Sequence, residues 1–191
     1  MRDERNSGLA AARNTAFRVA RGGFVASLDA GCVAGPAWLE KLAARMNDRR
    51  IAGAGRFLRE GVPTSVADRW RAAYMPQGWG AMLVRNAEFL FGCNNIFRRA
   101  AVPDAGGYDE SMRTSGEDGE LSRQLYAKRW ELIYDREAQA THLRSDSLQS
   151  FCNYSVAICG RVASDSFLLL YSFSPAFLVV IFGCGPRMGN Y

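Results

Sequence analysis

The sequence has a single histidine, His142, among its 191 residues, and only two lysines, Lys41 and Lys128. A lone histidine is by default a structural residue rather than a ligand. With so few lysines, 22 of the 24 basic residues are arginine. Arginine's planar fork suits phosphate recognition, but these arginines are scattered, and codon bias is the plainer explanation. No basic stretch is interleaved with aromatics along one face, so the +5 charge and sequence pI near 9.1 do not make a nucleic-acid-binding module. The five cysteines, Cys32, Cys93, Cys152, Cys159 and Cys184, contain no C-x-x-C pair and fit no zinc spacing. Their odd count argues against a disulfide framework, and they read as small buried residues of a reducing compartment. Repeats and low-complexity linkers are lacking too. The polar start, Met1 to Asn14, is not the pattern of a secretory signal peptide. What remains is ordinary: 48% hydrophobic and 23% charged residues, enough for a globular core.

Periodicity organises the first 150 residues. Leu9, Ala12, Phe17 and Ala20 recur at helical spacing between Asn6 and Arg21, and Gly22-Gly23 stops that helix. Phe24 to Asp29 is a short apolar run ending in an acid, the pattern of a buried parallel strand. Pro36 opens a second helix through Met46, since proline is tolerated in a first turn. Ile51 to Phe57 predicts a glycine-interrupted strand, Ala67 to Ala73 a helix, and Tyr74 to Gly80 a loop. Phe89 to Arg99 predicts strand, turn and strand; Glu117 to Lys128 a helix; Trp130 to Tyr134 a strand. The end differs in kind. No residue from Ser166 to Pro186 is charged, and about 20 apolar residues suffice to span a bilayer. Ser172, Ser174 and Pro175 interrupt the run, so a helical membrane-facing tail competes with a hairpin packed on the domain. The expected division is a domain over residues 1–150 and a membrane-associated or interfacial tail over residues 151–191.

Three features carry chemistry. Asp29 ends a strand, where open α/β sheets bind ligands. Glu117 and Asp118 follow Gly116 at a helix start, near amide donors and the positive end of the dipole. His142 is the third. Singly, each has a dull reading as turn former, helix cap or core residue.

Their order changes this. Asn6-x-Gly8 through Ala12-Arg13-Asn14, then Gly22-Gly23-Phe24-Val25 and Leu28-Asp29, resembles the middle of a family 2 glycosyltransferase of GT-A fold. Pro36-x-Trp38-Leu39 fits the next helix. Gly92-Cys93-Asn94-Asn95-Ile96-Phe97-Arg98-Arg99 resembles the family's glycine loop and following strand. Gly106-Gly107-Tyr108-Asp109-Glu110 and Gly116-Glu117-Asp118 resemble its GG(F/Y)DE and GED signatures, and Trp130–Tyr134, Ala138 and His142 continue the match. The implied fold is α/β, a Rossmann-type mixed sheet flanked by helices, N-terminally truncated, with an apolar helical C-terminal tail.

The resemblance implies inverting transfer of a sugar from a nucleotide-diphosphate donor to a saccharide or lipid-linked acceptor, as in cell-surface polysaccharide or glycolipid synthesis. The acceptor oxygen loses a proton as it attacks, so a carboxylate base is required. Asp118 holds the family's position for that base, and Glu117 would orient donor sugar or acceptor. Asp29, Gly92 and Asn94 would lie at the donor, with Asp29 and His142 toward a divalent cation, Mg²⁺ or Mn²⁺.

Two departures stand out. The family's Asp-x-Asp reads Asp29-Ala30-Gly31, so glycine replaces the usual second acid and weak metal binding is expected. Only about five residues precede the match, so most of the donor-base pocket is expected to be missing. A non-catalytic remnant is therefore the alternative to an enzyme. No Gln-x-x-Arg-Trp follows His142, which favours single-sugar transfer over polymerisation. The implied location is the cytoplasmic face of the cell membrane, or the cytoplasm.

Overall fold

The computed structural model of the protein describes residues 8–80, 82–112, 116–149, 166–174 and 177–184. The chain divides into two compact units, Met1–Ser145 and Asp146–Tyr191. In the first, helices α1 (Leu9–Val19), α2 (Trp38–Ala44), α3 (Val66–Tyr74), α4 (Ala101–Asp104) and α5 (Glu117–Ala127) accompany six strands. These are β1 (Phe24–Leu28), β2 (Cys32–Ala34), β3 (Ile51–Glu60), β4 (Val84–Arg85), β5 (Asn94–Arg98) and β6 (Glu131–His142).

They form one sheet in the order β1-β5-β3-β6-β2, with β4 also paired to β6. Only β3 and β6 run parallel; the other pairs are antiparallel. Side chains alternate across a strand, and that alternation builds two cores. Phe97, Leu132 and Tyr134 face Phe17, Val102, Leu121 and Leu125 on one side. Ile96 and Ile133 face Leu42 and Met46 of the α2 region on the other. The mixed sheet flanked by helices is the expected architecture. Glycine interrupts β3 for want of space: a Cβ on Gly53 would stand 2.4 Å from the Phe97 ring.

Three expectations need correction. Phe24–Leu28 is neither buried nor parallel. It is the outer strand of the described sheet, antiparallel to β5 from Phe24↔Arg98 to Leu28↔Asn94, with Phe24 41% exposed. A short apolar run looks alike in either setting, and its direction depends on a partner about seventy residues away. Second, Phe89–Gly92 is not a strand, and its backbone turns so that the Gly92 N–H reaches Asp118 of α5. Third, the tail is extended rather than helical. In the second unit β7 (Ser166–Ser174) pairs antiparallel with β8 (Phe177–Cys184), Ser166 opposite Cys184. The β-branched run Val179-Val180-Ile181 favours that conformation. Residues 151–165, 175–176 and 185–191 of the expected tail lie outside the described residues. Among the described residues no helix is long and apolar enough to cross a membrane.

Candidate active site

Helix α1 faces the start of α5, and a single arginine joins them. Arg13 Nη1 donates to Glu117 Oε1 at 2.8 Å and to Asp118 Oδ1 at 2.6 Å. The other Asp118 oxygen accepts the Gly92 N–H at 2.8 Å. The guanidinium lies 5.3 Å from the centre of the Tyr108 ring, a cation–π distance. One helical turn on, Phe17 packs 6.2 Å from the same ring. Asn14 fixes Tyr108 from the backbone: its amide donates to the Tyr108 carbonyl at 2.8 Å and accepts the Tyr108 N–H at 2.8 Å. A further bond of 2.9 Å reaches Glu110.

The electrostatics follow from this crowding. Glu117 is 4% exposed, and its Oε2 is buried without a hydrogen-bond partner among the described residues. Burial pushes the Asp118 carboxyl up to about 6 and the neighbouring Glu117 adds to the rise, against the pull of Arg13 and the Gly92 N–H. Burial works against the charge on Arg13, but Asp118, Tyr108, Glu117 and Asp29 outweigh it and raise its pKa. A carboxyl that releases its proton near neutrality, beside a fixed cation, is suited to general-base work.

Gly92 sits where a side chain cannot. A Cβ there would stand 2.0 Å from Arg13 Nη2 and 2.4 Å from Cζ. Asn94 is buried at 0% exposure within the sheet. Its amide accepts from Trp38 Nε1 at 2.7 Å and donates to the Phe57 carbonyl at 3.0 Å. That is a brace between α2, β3 and β5, because a buried amide must find partners.

Asp29 is exposed at the end of β1, its N–H bonded to the Cys93 carbonyl at 3.1 Å. Its carboxylate belongs to the same face, since its field reaches Arg13. Cys32 pairs with His142 across β2 and β6, which brings Gly31 beside the imidazole. A Cβ on Gly31 would stand 3.3 Å from His142 Nε2. The histidine is 8% exposed, with Nδ1 3.7 Å from Glu60 Oε2. Burial and Arg144 lower its pKa, against Glu60 and Asp29, so it is neutral at neutral pH. Asp29 and His142 thus share one region with Gly31 between them. Among the described residues no group of three or more His, Cys, Asp or Glu side chains could hold a metal ion. The missing carboxylate at position 31 is the reason the donor set does not fit a firmly held cation.

The family follows from the comparison of sequences. Residues 1–105 match the model of glycosyl transferase family 2, more than half of the chain. The chain belongs to glycosyl transferase family 2. That match ends before Glu117 and Asp118, so the carboxylate pair rests on geometry. No curated protein is a significant sequence match to this family 2 chain. Solved structures resemble it in fold, and they are glycosyltransferases of the GT-A type. GalNAc-T7 with UDP, GalNAc and Mn²⁺ superposes at a TM-score of 0.59 and 20% identity, over 78% of this chain and 32% of that one. TarS from S. aureus in complex with UDP gives 0.55 and 16%, over 84% and 47%. The mannosyltransferase PcManGT from Pyrobaculum calidifontis, with GDP-Man and Mn²⁺, gives 0.55 and 14%, over 82% and 43%. This family 2 chain therefore spans 32% to 47% of the lengths of those neighbours.

Arg13, Asn14 and Trp38 were quoted in the sequence only as parts of motifs. Their contacts are not legible in the sequence because their partners lie 104, 94 and 56 residues away. The adjacency of Arg13 and Asn14, a charge and an amide near the middle of an amphipathic helix, was the signal available.

Proposed function

We propose that this chain is the catalytic part of an inverting glycosyltransferase, with Asp118 as general base. The observation that carries the reading is the Asp118 carboxylate, held between Arg13 and the Gly92 N–H with a pKa of about 6. An acceptor hydroxyl placed against Asp118 gives up its proton to the carboxylate as its oxygen attacks the anomeric carbon. The bond from that carbon to the diphosphate breaks, and the electron pair leaves with the nucleotide diphosphate. Glu117, fixed by Arg13, orients the donor sugar or the acceptor. Asp29 stands on the donor side with Gly92.

Mg²⁺ or Mn²⁺ would supply charge for the departing diphosphate. Asp29 and His142 are the side chains that would meet such an ion, and two donors hold it weakly, so no step is assigned to it. The partners in this reading are a nucleotide sugar and a saccharide or lipid-linked acceptor of cell-surface polysaccharide or glycolipid synthesis. The uncharged run over residues 166–186 supports work at the cytoplasmic membrane face, with residues 1–150 as the catalytic part and 151–191 as the tail.

The test is transfer from UDP-, GDP- and dTDP-sugars to saccharide and lipid-linked acceptors by wild type and Asp118→Asn. Wild type should transfer and the variant should not, although its circular dichroism is native. Normal turnover by Asp118→Asn overturns the assignment. A second reading, a non-catalytic remnant, is favoured by one observation, Gly31 at the usual second acid. Calorimetric titration with the same nucleotide sugars, with and without Mn²⁺, separates the two: micromolar binding refutes the remnant.

A further inference from the structure

Arg13 takes no part in the proposed proton transfer itself, yet the geometry of the site converges on it. One nitrogen, Nη1, bonds both carboxylates, 2.8 Å to Glu117 and 2.6 Å to Asp118. Its side chain is 11% exposed, so little water dilutes these bonds. Four other features fix its place. The Tyr108 ring lies under the guanidinium at 5.3 Å. Asn14 locks the backbone of Tyr108 from the next position of the same helix. Phe17, one turn further, anchors that helix in the core at 4% exposure. Gly92 leaves the space that any Cβ would take from the fork.

Two adjacent carboxylates at one helix start repel each other. Without a cation between them, the repulsion raises the proton affinity of one and turns its side chain away. We propose that Arg13 is the positioning residue of this site: a single guanidinium nitrogen clamps Glu117 and Asp118 in one orientation. The inference rests on Asp118 being the reactive carboxylate, but it is tested without the reaction. Among the described residues, the groups facing Asp118 are Arg13 from α1, Glu117 from its own helix, the Gly92 N–H and Cys93 from the loop before β5, and Tyr108. Asp29 of the turn after β1 acts at longer range, through Arg13. Among the described residues, Arg13 is the only side-chain cation of these.

The experiment is a carbon-13 carboxyl NMR titration of Asp118 in the full chain, for wild type, Arg13→Gln and Arg13→Lys. Arg13→Gln should move the midpoint upward by about one pH unit or more, the usual effect of an adjacent cation. Arg13→Lys should restore most of that shift, since a charge remains, while transfer falls because an ammonium lacks the planar fork. In the acid limb of the transfer profile, the Arg13→Gln midpoint should move upward in step, with the KM for the donor little changed. An Asp118 midpoint unchanged in Arg13→Gln overturns the proposal. Should neither variant fold, wild type decides alone: the Arg13 guanidinium nitrogen-15 resonances should move with the Asp118 midpoint, and their indifference to it overturns the clamp. Transfer by Asp118→Asn would remove the base assignment and leave the titration result standing, so the two failures are distinguishable.

Discussion

Asp118→Asn should make the protein more stable while it silences transfer, and the gain should depend on pH. The carboxyl titrates at about 6 rather than 3.8 in the folded chain. At 1.36 kcal/mol per pH unit, ionising it in place costs about 3 kcal/mol of stability. Its side chain is 22% exposed, and solvent screening brings the working figure to about 1–2 kcal/mol. The sign follows from proton counting. The folded pKa lies above the unfolded one, so between 3.8 and about 6 the native state binds more protons. The associated stability is fully present below 3.8 and is lost as pH rises through about 6. Asparagine imitates the protonated acid in shape and neutrality, and so does not lose it. Calorimetric scans of both proteins at pH 4, 6 and 8 should therefore diverge with rising pH, by about 2–8 °C at the top, given about 2–4 °C per kcal/mol for a chain of this size. A variant less stable than wild type at pH 8, or a difference constant with pH, refutes the reasoning.

Gly92→Ala should cost about 1–3 kcal/mol in urea unfolding, as overpacking does, because the new Cβ lands 2.0 Å from an Arg13 nitrogen that its ion pairs hold in place. Wild-type stability would show that Arg13 has room to yield. Asn14→Ala removes two bonds to the Tyr108 backbone and should cost about 1–3 kcal/mol at 0.5–1.5 kcal/mol per bond. An unchanged melting temperature would refute the bracing of Tyr108 by Asn14. Gly31→Asp places a carboxylate beside His142 Nε2, 3.3 Å from its Cβ, and should tighten Mn²⁺ binding by about tenfold or more, ~1.4 kcal/mol. Electron paramagnetic resonance of free Mn²⁺ reads this directly; equal affinity in both proteins would refute the account of the missing ligand.

The fold was legible where the signal was local. Leu121 and Leu125 at i, i+4 announced α5, and both are buried. Leu9 to Ala20 announced α1, and the structure trims it to Leu9–Val19 because Gly22-Gly23 cannot hold the last turn. Ser65 capping Asp68, with the reciprocal bond back, marks the start of α3. Three short elements have no signal in the sequence, β2, β4 and α4, at three, two and four residues. Such pieces exist only because a neighbour pairs or packs with them, here β6 for β2. The ion pair of Arg56 with Asp135, inside the sheet at 2% and 3% exposure, was equally invisible. Two charged residues 79 positions apart look like surface residues until the parallel register of β3 and β6 sets them side by side.

The sequence by itself determined the order of the motifs, the helices that carry them, and the substitution of Gly31 for a second acid. Each of these is a property of residue identity or of spacing within one or two turns. The tertiary structure alone decided that Phe24–Leu28 is an antiparallel outer strand, that Asn94 braces α2, β3 and β5, and that Arg13 grips both carboxylates. These depend on contacts between residues 37 to 105 positions apart. Distance along the chain fixes no distance in space, and a charged group's pKa is set by whatever folding brings within a few ångströms of it.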